Sequence, residues 1–167
     1  MYIELKSAAV ADAPTVGLLV SSLLRELDPD GSVDLRSVIV QAQRMLGMSD
    51  RVWGWLALKS GLAIGVIMLN ECAAIYANGL FGEITELYVQ PANRSCGVAA
   101  SLVNAAVDFG RRKGWGRLEV GAPDQPRWSR TRKFYLEEGF VEVGPRLKRA
   151  IEHMRESGTE SREPTDR

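Results

Sequence analysis

The residues best suited to chemistry form one short run, Arg94-Ser95-Cys96-Gly97-Val98-Ala99, between a strand-like segment and a long helical pattern. Glycine and alanine let a ligand approach the backbone closely, and the first turn of the helix presents unpaired N–H groups carrying a positive partial charge. Such a turn suits a pyrophosphate. A glycine that opens a helix is equally common in plain loops, so the run alone leaves both readings open. Other chemistries are disfavoured. The single histidine, His153, stands in a polar C-terminal stretch, which argues against a metal site or a histidine-based triad. Cys72 and Cys96 belong to no CxxC pair, so neither a disulfide framework nor a zinc site is indicated.

A single domain is expected to hold this run. The chain has 167 residues, 46% of apolar types, with 21 basic and 21 acidic side chains. At that length roughly 70% of the unfolded surface can be buried in one core. The neutral total disfavours a dedicated nucleic-acid or membrane-surface binder. The longest apolar stretch, Leu62 to Leu69, is too short to span a bilayer and the start does not read as a leader, so a cytoplasmic protein is expected.

Periodicity predicts a strand over Tyr2 to Lys6 and a helix opened by Asp12-Ala13-Pro14 and closed near Asp28-Pro29-Asp30-Gly31. A second helix runs from about Leu35 to Met48. Strands Val52 to Leu58 and Ala63 to Leu69 form an antiparallel hairpin across Lys59-Ser60-Gly61-Leu62. A long connection, Glu71 to Gly82, leads to a strand from Glu83 to Val89, then a helix from about Gly97 to Lys113, a short strand at Leu118-Glu119-Val120 and a loop to Pro126. Ser129 is the expected N-cap of a further helix stopped by Gly139, and Phe140 to Val143 with Pro145 to Arg149 are read as a last strand pair. The domain is expected to cover 1–150, followed by a polar, disordered tail over 151–167. The strand-loop-helix-strand unit implies a parallel pair, and the hairpin before it a mixed sheet.

The run at Arg94, Gly97 and Ala99 resembles the Q/R-x-x-G-x-G/A signature of the GNAT superfamily of acyl-CoA-dependent N-acyltransferases, with Leu87-Tyr88-Val89 and Pro91 before it as in many members. Phe134-Tyr135-Leu136-Glu137-Glu138-Gly139-Phe140 is similar to that family's FY-x-x-x-GF block. The likeness spans roughly Glu83 to Arg149. It implies an α/β (mixed α+β) fold, with a largely antiparallel sheet splayed between its two central strands, ending at Val89 and Val120, and about four flanking helices. It further implies acetyl-CoA as co-substrate and no metal. The main chain of Leu87, Tyr88 and Val89 would run beside the pantetheine arm, with an N–H there to hold the thioester oxygen. Backbone amides of Arg94, Ser95, Cys96, Gly97, Val98 and Ala99 would cradle the pyrophosphate, and Ser129 stands near a position where members place a pantetheine-binding Asn. Tyr135 matches a tyrosine that protonates the departing thiolate. A homodimer is common in the superfamily and is expected on that ground alone.

Acyl transfer needs a neutral amine, yet an alkylamine with a pKa of roughly 10.4 is unprotonated in only about one molecule in 2,500 at pH 7. Under this resemblance the candidate bases are Glu86, the preferred one, and Glu83, which matches a base of protein-acetylating members. Three apart, they face opposite sides of a regular strand unless a bulge intervenes. Asp28, Asp30 and Asp34 would attract a cationic acceptor, although they are also ordinary turn residues. Trp53, Trp55, Tyr76 and Phe81 read more readily as packing residues than as pocket walls. Charge is segregated: residues 1–93 carry 6 basic and 10 acidic side chains, and residues 94–149 carry 12 and 6. That division fits an anionic ligand on Arg94, Arg130, Arg132 and Lys133 and a small cationic amine, polyamine-like or aminosugar-like, on the other side. The alternatives are a protein or peptide acceptor, N-terminal or lysine, and a non-catalytic acyl-CoA-binding module.

Overall fold

The computed structural model describes residues 2–121 and 126–144. The elements run β1 (Glu4–Ser7), α1 (Ala13–Leu27), α2 (Leu35–Gly47), β2 (Val52–Lys59), β3 (Leu62–Ala74), β4 (Gly79–Val89), α3 (Val98–Lys113), β5 (Leu118–Val120) and α4 (Ser129–Glu137). The strands form one sheet in the order β1-β2-β3-β4-β5, antiparallel except for β4 with β5. The fold is the mixed α/β arrangement that the order of elements predicts.

β3 explains the two layers. Ile64 through Leu69 are all buried, because helices cover both faces of this central strand and leave no polar alternation. Ile67 and Leu69 pack with Ile84 and Val89 of β4 and with Val98, Leu102, Val103 and Ala106 of α3. Val66, Met68 and Tyr88 point the other way, onto Val16 and Leu19 of α1 and Ala42 and Leu46 of α2. Each such buried aliphatic side chain contributes about 1.5–3 kcal/mol of transfer free energy, so the two helical layers lock β3 and β4 from opposite sides. Gly82 in β4 is fixed by close approach, because a side chain there would collide with the Trp115 ring.

Four sequence expectations change. The connection over Glu71 to Gly82 is largely strand: β3 and β4 continue to Ala74↔Gly79 and turn through 75–78. Asn78 and Gly79, at φ +58 and +123, make the turn, and an Asn-Gly pair is itself a hairpin signal. Asp12 precedes α1, yet its carboxylate does not cap it. It accepts from the Ala9 N–H at 2.9 Å and from Lys6 Nζ at 2.6 Å. Trp128 rather than Ser129 is the N-cap of α4, and Ser129 is its first residue. Gly139 does follow the helix end at φ +86. Phe140 to Val143 form no strand, so β5 stands at the sheet edge among the described residues, while Pro145 to Arg149, the tail and His153 lie outside them.

Candidate functional site

β4 and β5 are paired only at Gly82↔Leu118, Glu83↔Glu119 and Ile84↔Val120. β5 then ends, while β4 continues to Val89, bound to β3 on its other side through Gly65↔Val89. Thr85 to Val89 therefore present a main-chain edge with no strand beside it among the described residues, and a cleft of about 950 Å³ opens there. α1 contributes Leu23, Glu26 and Leu27 to its wall, β5 contributes Val120 and the adjoining Gly121, and α4 lines the far side.

One end of the cleft is made of backbone. After a turn of 3₁₀ helix at Pro91–Asn93, Ser95 and Gly97 both take left-handed conformations, at φ +59 and +78. Gly97 is the N-cap of α3, and no side chain caps the helix. The opening amides of α3 have no partner inside the helix. Alternating left-handed residues before a helix N-terminus make a concave nest of N–H groups suited to an anion.

Arginines fasten this end. Arg94 Nη2 donates to both Glu26 carboxylate oxygens, at 2.7 and 2.9 Å, and Nε donates to the Val89 carbonyl at 2.8 Å. Its guanidinium lies 5.4 Å from the Tyr88 ring centroid. The Arg94 side chain thus ties the turn to α1 and β4. Burial above all, with the charge of Glu26 nearby, pushes the Tyr88 phenol above its ordinary range. Arg127 Nη2 donates to the Glu26 carbonyl at 2.9 Å, placing a cation at the C-terminus of α1. Arg130 donates to Ser95 Oγ and so links α4 to the turn. Arg132, by contrast, pairs with Glu142 at 2.6 Å outside the cleft wall.

The other end is made of side chains. Met68 pairs with Glu86, but Leu69 pairs with Ile84, so Thr85 is an extra residue and β4 is bulged. The bulge overturns the expectation from regular alternation: Glu83 and Glu86 share the face of Met68 and Asn70. Glu83 lines the cleft and Glu86 does not. Burial chiefly raises the Glu86 carboxyl above the ordinary range. The Thr85 hydroxyl bonded to it works against that shift, and the nearby Glu83 charge adds to it. Tyr135 is 8% exposed, lines the cleft between Phe134 and Phe140, and is pushed up by burial to about 12. It is therefore a neutral phenol at any ordinary pH.

Of the residues singled out from sequence, Glu83, Leu87, Tyr88, Val89, Arg94, Ser95, Gly97, Val98, Ala99 and Tyr135 meet around the cleft. Glu86, Cys96 and Ser129 do not line it, and the latter two are exposed. The aspartates between α1 and α2 also lie outside its wall. Asp34 accepts from the N–H groups of Arg36 and Ser37 and from the Ser37 hydroxyl, which holds its carboxyl below the usual range, and Asp28 accepts from Gly31 N–H at 3.1 Å. Trp53 packs tilted against Phe109 and Trp55 meets it edge-on, and Tyr76 neighbours Phe81 under Arg117. Sequence reasoning missed Glu26, Thr85 and Arg127, whose roles follow from partners distant in sequence or from the bulge. Among the described residues no acid, histidine and cysteine cluster could hold a metal, and no helix is long and apolar enough to cross a membrane.

The family model of the acetyltransferase (GNAT) family matches residues 21–140. The chain is 28% identical over 149 residues to an aminoalkylphosphonate N-acetyltransferase of Salmonella typhimurium, covering 89% of this chain and 91% of that protein. Among solved structures it is similar to a ribosomal-protein-alanine N-acetyltransferase from Brucella melitensis biovar Abortus 2308, with a TM-score of 0.71, 17% identity and coverage of 90% and 100%. It is also similar to AAC(6')-Iy in complex with the bisubstrate analogue CoA-S-monomethyl-acetylneamine, with a TM-score of 0.70, 16% identity and coverage of 92% and 100%.

Proposed function

Because the chain belongs to the GNAT family and is thus an N-acetyltransferase acting on amines, we propose that it moves an acetyl group from acetyl-CoA to the primary amine of a small molecule within the cleft, by direct attack. The observation that carries this reading is the parting of β4 from β5. The cleft it opens is lined by an uncapped nest of amides, by the Glu83 carboxylate and by the Tyr135 phenol.

The residues fit the co-substrate. The amides from Ser95 to Ala99 hold its pyrophosphate, Arg130 adds positive charge beside them, and the unpaired edge of β4 near Leu87 and Val89 hydrogen-bonds the pantetheine arm as a strand would. An N–H on that edge stabilises charge developing on the thioester oxygen. Arg94 serves through its side chain as the fastening of this turn. Of the two acids, Glu83 is the better base because it lines the cleft. It takes the amine proton, directly or through one water, so that the small neutral fraction is replenished at the site. Glu86 stands behind it on the same face. Tyr135 supplies a proton to the departing thiolate, and its raised pKa keeps that proton available.

The acceptor is a small cationic amine, drawn by the Glu83 carboxylate on the cleft wall. The sequence relation to an aminoalkylphosphonate N-acetyltransferase favours a second reading, a zwitterionic acceptor whose anionic group meets Arg127 on the cleft wall. Release of free thiol from acetyl-CoA distinguishes them when measured with diamines, aminosugars, aminoalkylphosphonates and a peptide N-terminus. Turnover with diamines or aminosugars supports the cationic reading, turnover confined to phosphonates supports the zwitterionic one, and turnover confined to the peptide overturns both.

A further inference from the structure

A row of polar groups lies behind the proposed base, on β3. Asn70 and Glu83 are cross-strand partners, and Cys72, two residues along β3, points to the same face. Asn70 Nδ2 donates to Cys72 Sγ at 3.4 Å, and the Cys72 thiol in turn donates to Glu83 Oε2 at 3.7 Å. The thiol is half-buried and belongs to no disulfide. Its proton is directed to the carboxylate because the sulfur already accepts from the amide.

We propose that Cys72 is a positioning residue for acetyl transfer, its thiol holding one oxygen of Glu83 so that the other is presented to the acceptor amine. This rests on the reading of Glu83 as the base. A glutamate has three side-chain torsions, and a carboxylate left to sample them is in reach of the amine only part of the time. A donor fixed on a central strand removes that freedom before substrate arrives, and reaction rates are sensitive to displacements of about an ångström. Asn70 acts one step further back by orienting the thiol. The Glu86 carboxylate has a separate donor, the hydroxyl of the bulged Thr85.

The test is a mutant cycle on the full chain with whichever amine is turned over. Cys72→Ala is expected to lower kcat about fivefold, the order expected for one modest hydrogen bond, with the KM for acetyl-CoA and the melting temperature unchanged. Cys72→Ser keeps a donor that still restricts the Glu83 torsions, although from a shorter side chain, and is expected to lose clearly less rate than Cys72→Ala. In a Glu83→Gln background, Cys72→Ala is expected to cost nothing further. Equal loss with serine and alanine, or a loss that persists in Glu83→Gln, overturns the positioning role while leaving the base intact. Full activity in Glu83→Gln alone overturns the base and the positioning role with it.

Discussion

The two ends of the cleft are built from different materials. At the turn before α3 the chemistry belongs to the main chain: left-handed Ser95 and Gly97 aim amides that any residue type would carry. At the bulge it belongs to side chains, with Glu83 and Glu86 brought to one face only because Thr85 is an extra residue. A backbone site tolerates changes of side chain as long as the dihedral angles survive. A side-chain site fails when one atom changes.

Glu83→Gln breaks the side-chain end most sharply. The amide is nearly isosteric but accepts no proton, so kcat at pH 7 is expected to fall by about 10² to 10⁴, while calorimetry finds unchanged acetyl-CoA affinity. Gly97→Val breaks the backbone end instead. A left-handed conformation costs an ordinary L-residue roughly 1–2 kcal/mol, more when β-branched, so acetyl-CoA affinity is expected to drop at least about tenfold with kcat at saturation nearly preserved. That contrast, kcat at one end and affinity at the other, is the sharpest form of the comparison.

Tyr135→Phe is expected to lower kcat about tenfold with affinity intact. Its pKa of about 12 adds a pH signature: deprotonation would remove the acid only near that value, so the wild-type rate should show no loss from this group on raising the pH to 10. A tyrosine-dependent decline below pH 10, absent from the phenylalanine variant, would contradict the assignment. Cys96→Ser sits at the bottom of the scale. Its side chain is exposed and lies outside the cleft wall, so only its amide matters and both constants should stay within about twofold.

What could be read in advance follows the same division. The turn at Arg94 to Ala99 was legible because glycine beside a helix start is a local signal, and the β2–β3 hairpin because two strand-like runs flank a short link that holds Gly61. Two kinds of feature were not legible. The bulge at Thr85 depends on register against Met68 and Leu69, which no pattern within β4 encodes. The Arg94 pair with Glu26 and the Arg127 contact with the end of α1 join residues 68 and 101 positions apart. Composition shows the aspartates between α1 and α2 only as charges, whereas Asp28 and Asp34 accept local hydrogen bonds that hold their own turns. The start of α4 differs by one residue from the sequence expectation because Trp128, with no capping side chain, precedes Ser129.

Thermal unfolding of the full chain with and without acetyl-CoA tests the central claim most directly, since it needs no knowledge of the acceptor. Ligand at 100 times its dissociation constant stabilises the fold by roughly 2.7 kcal/mol, which corresponds to a rise of about 5–10 °C for a domain of this size. That rise is predicted with acetyl-CoA and is expected to be much smaller with Gly97→Val at the same concentration. No rise with any acyl-CoA would contradict the account.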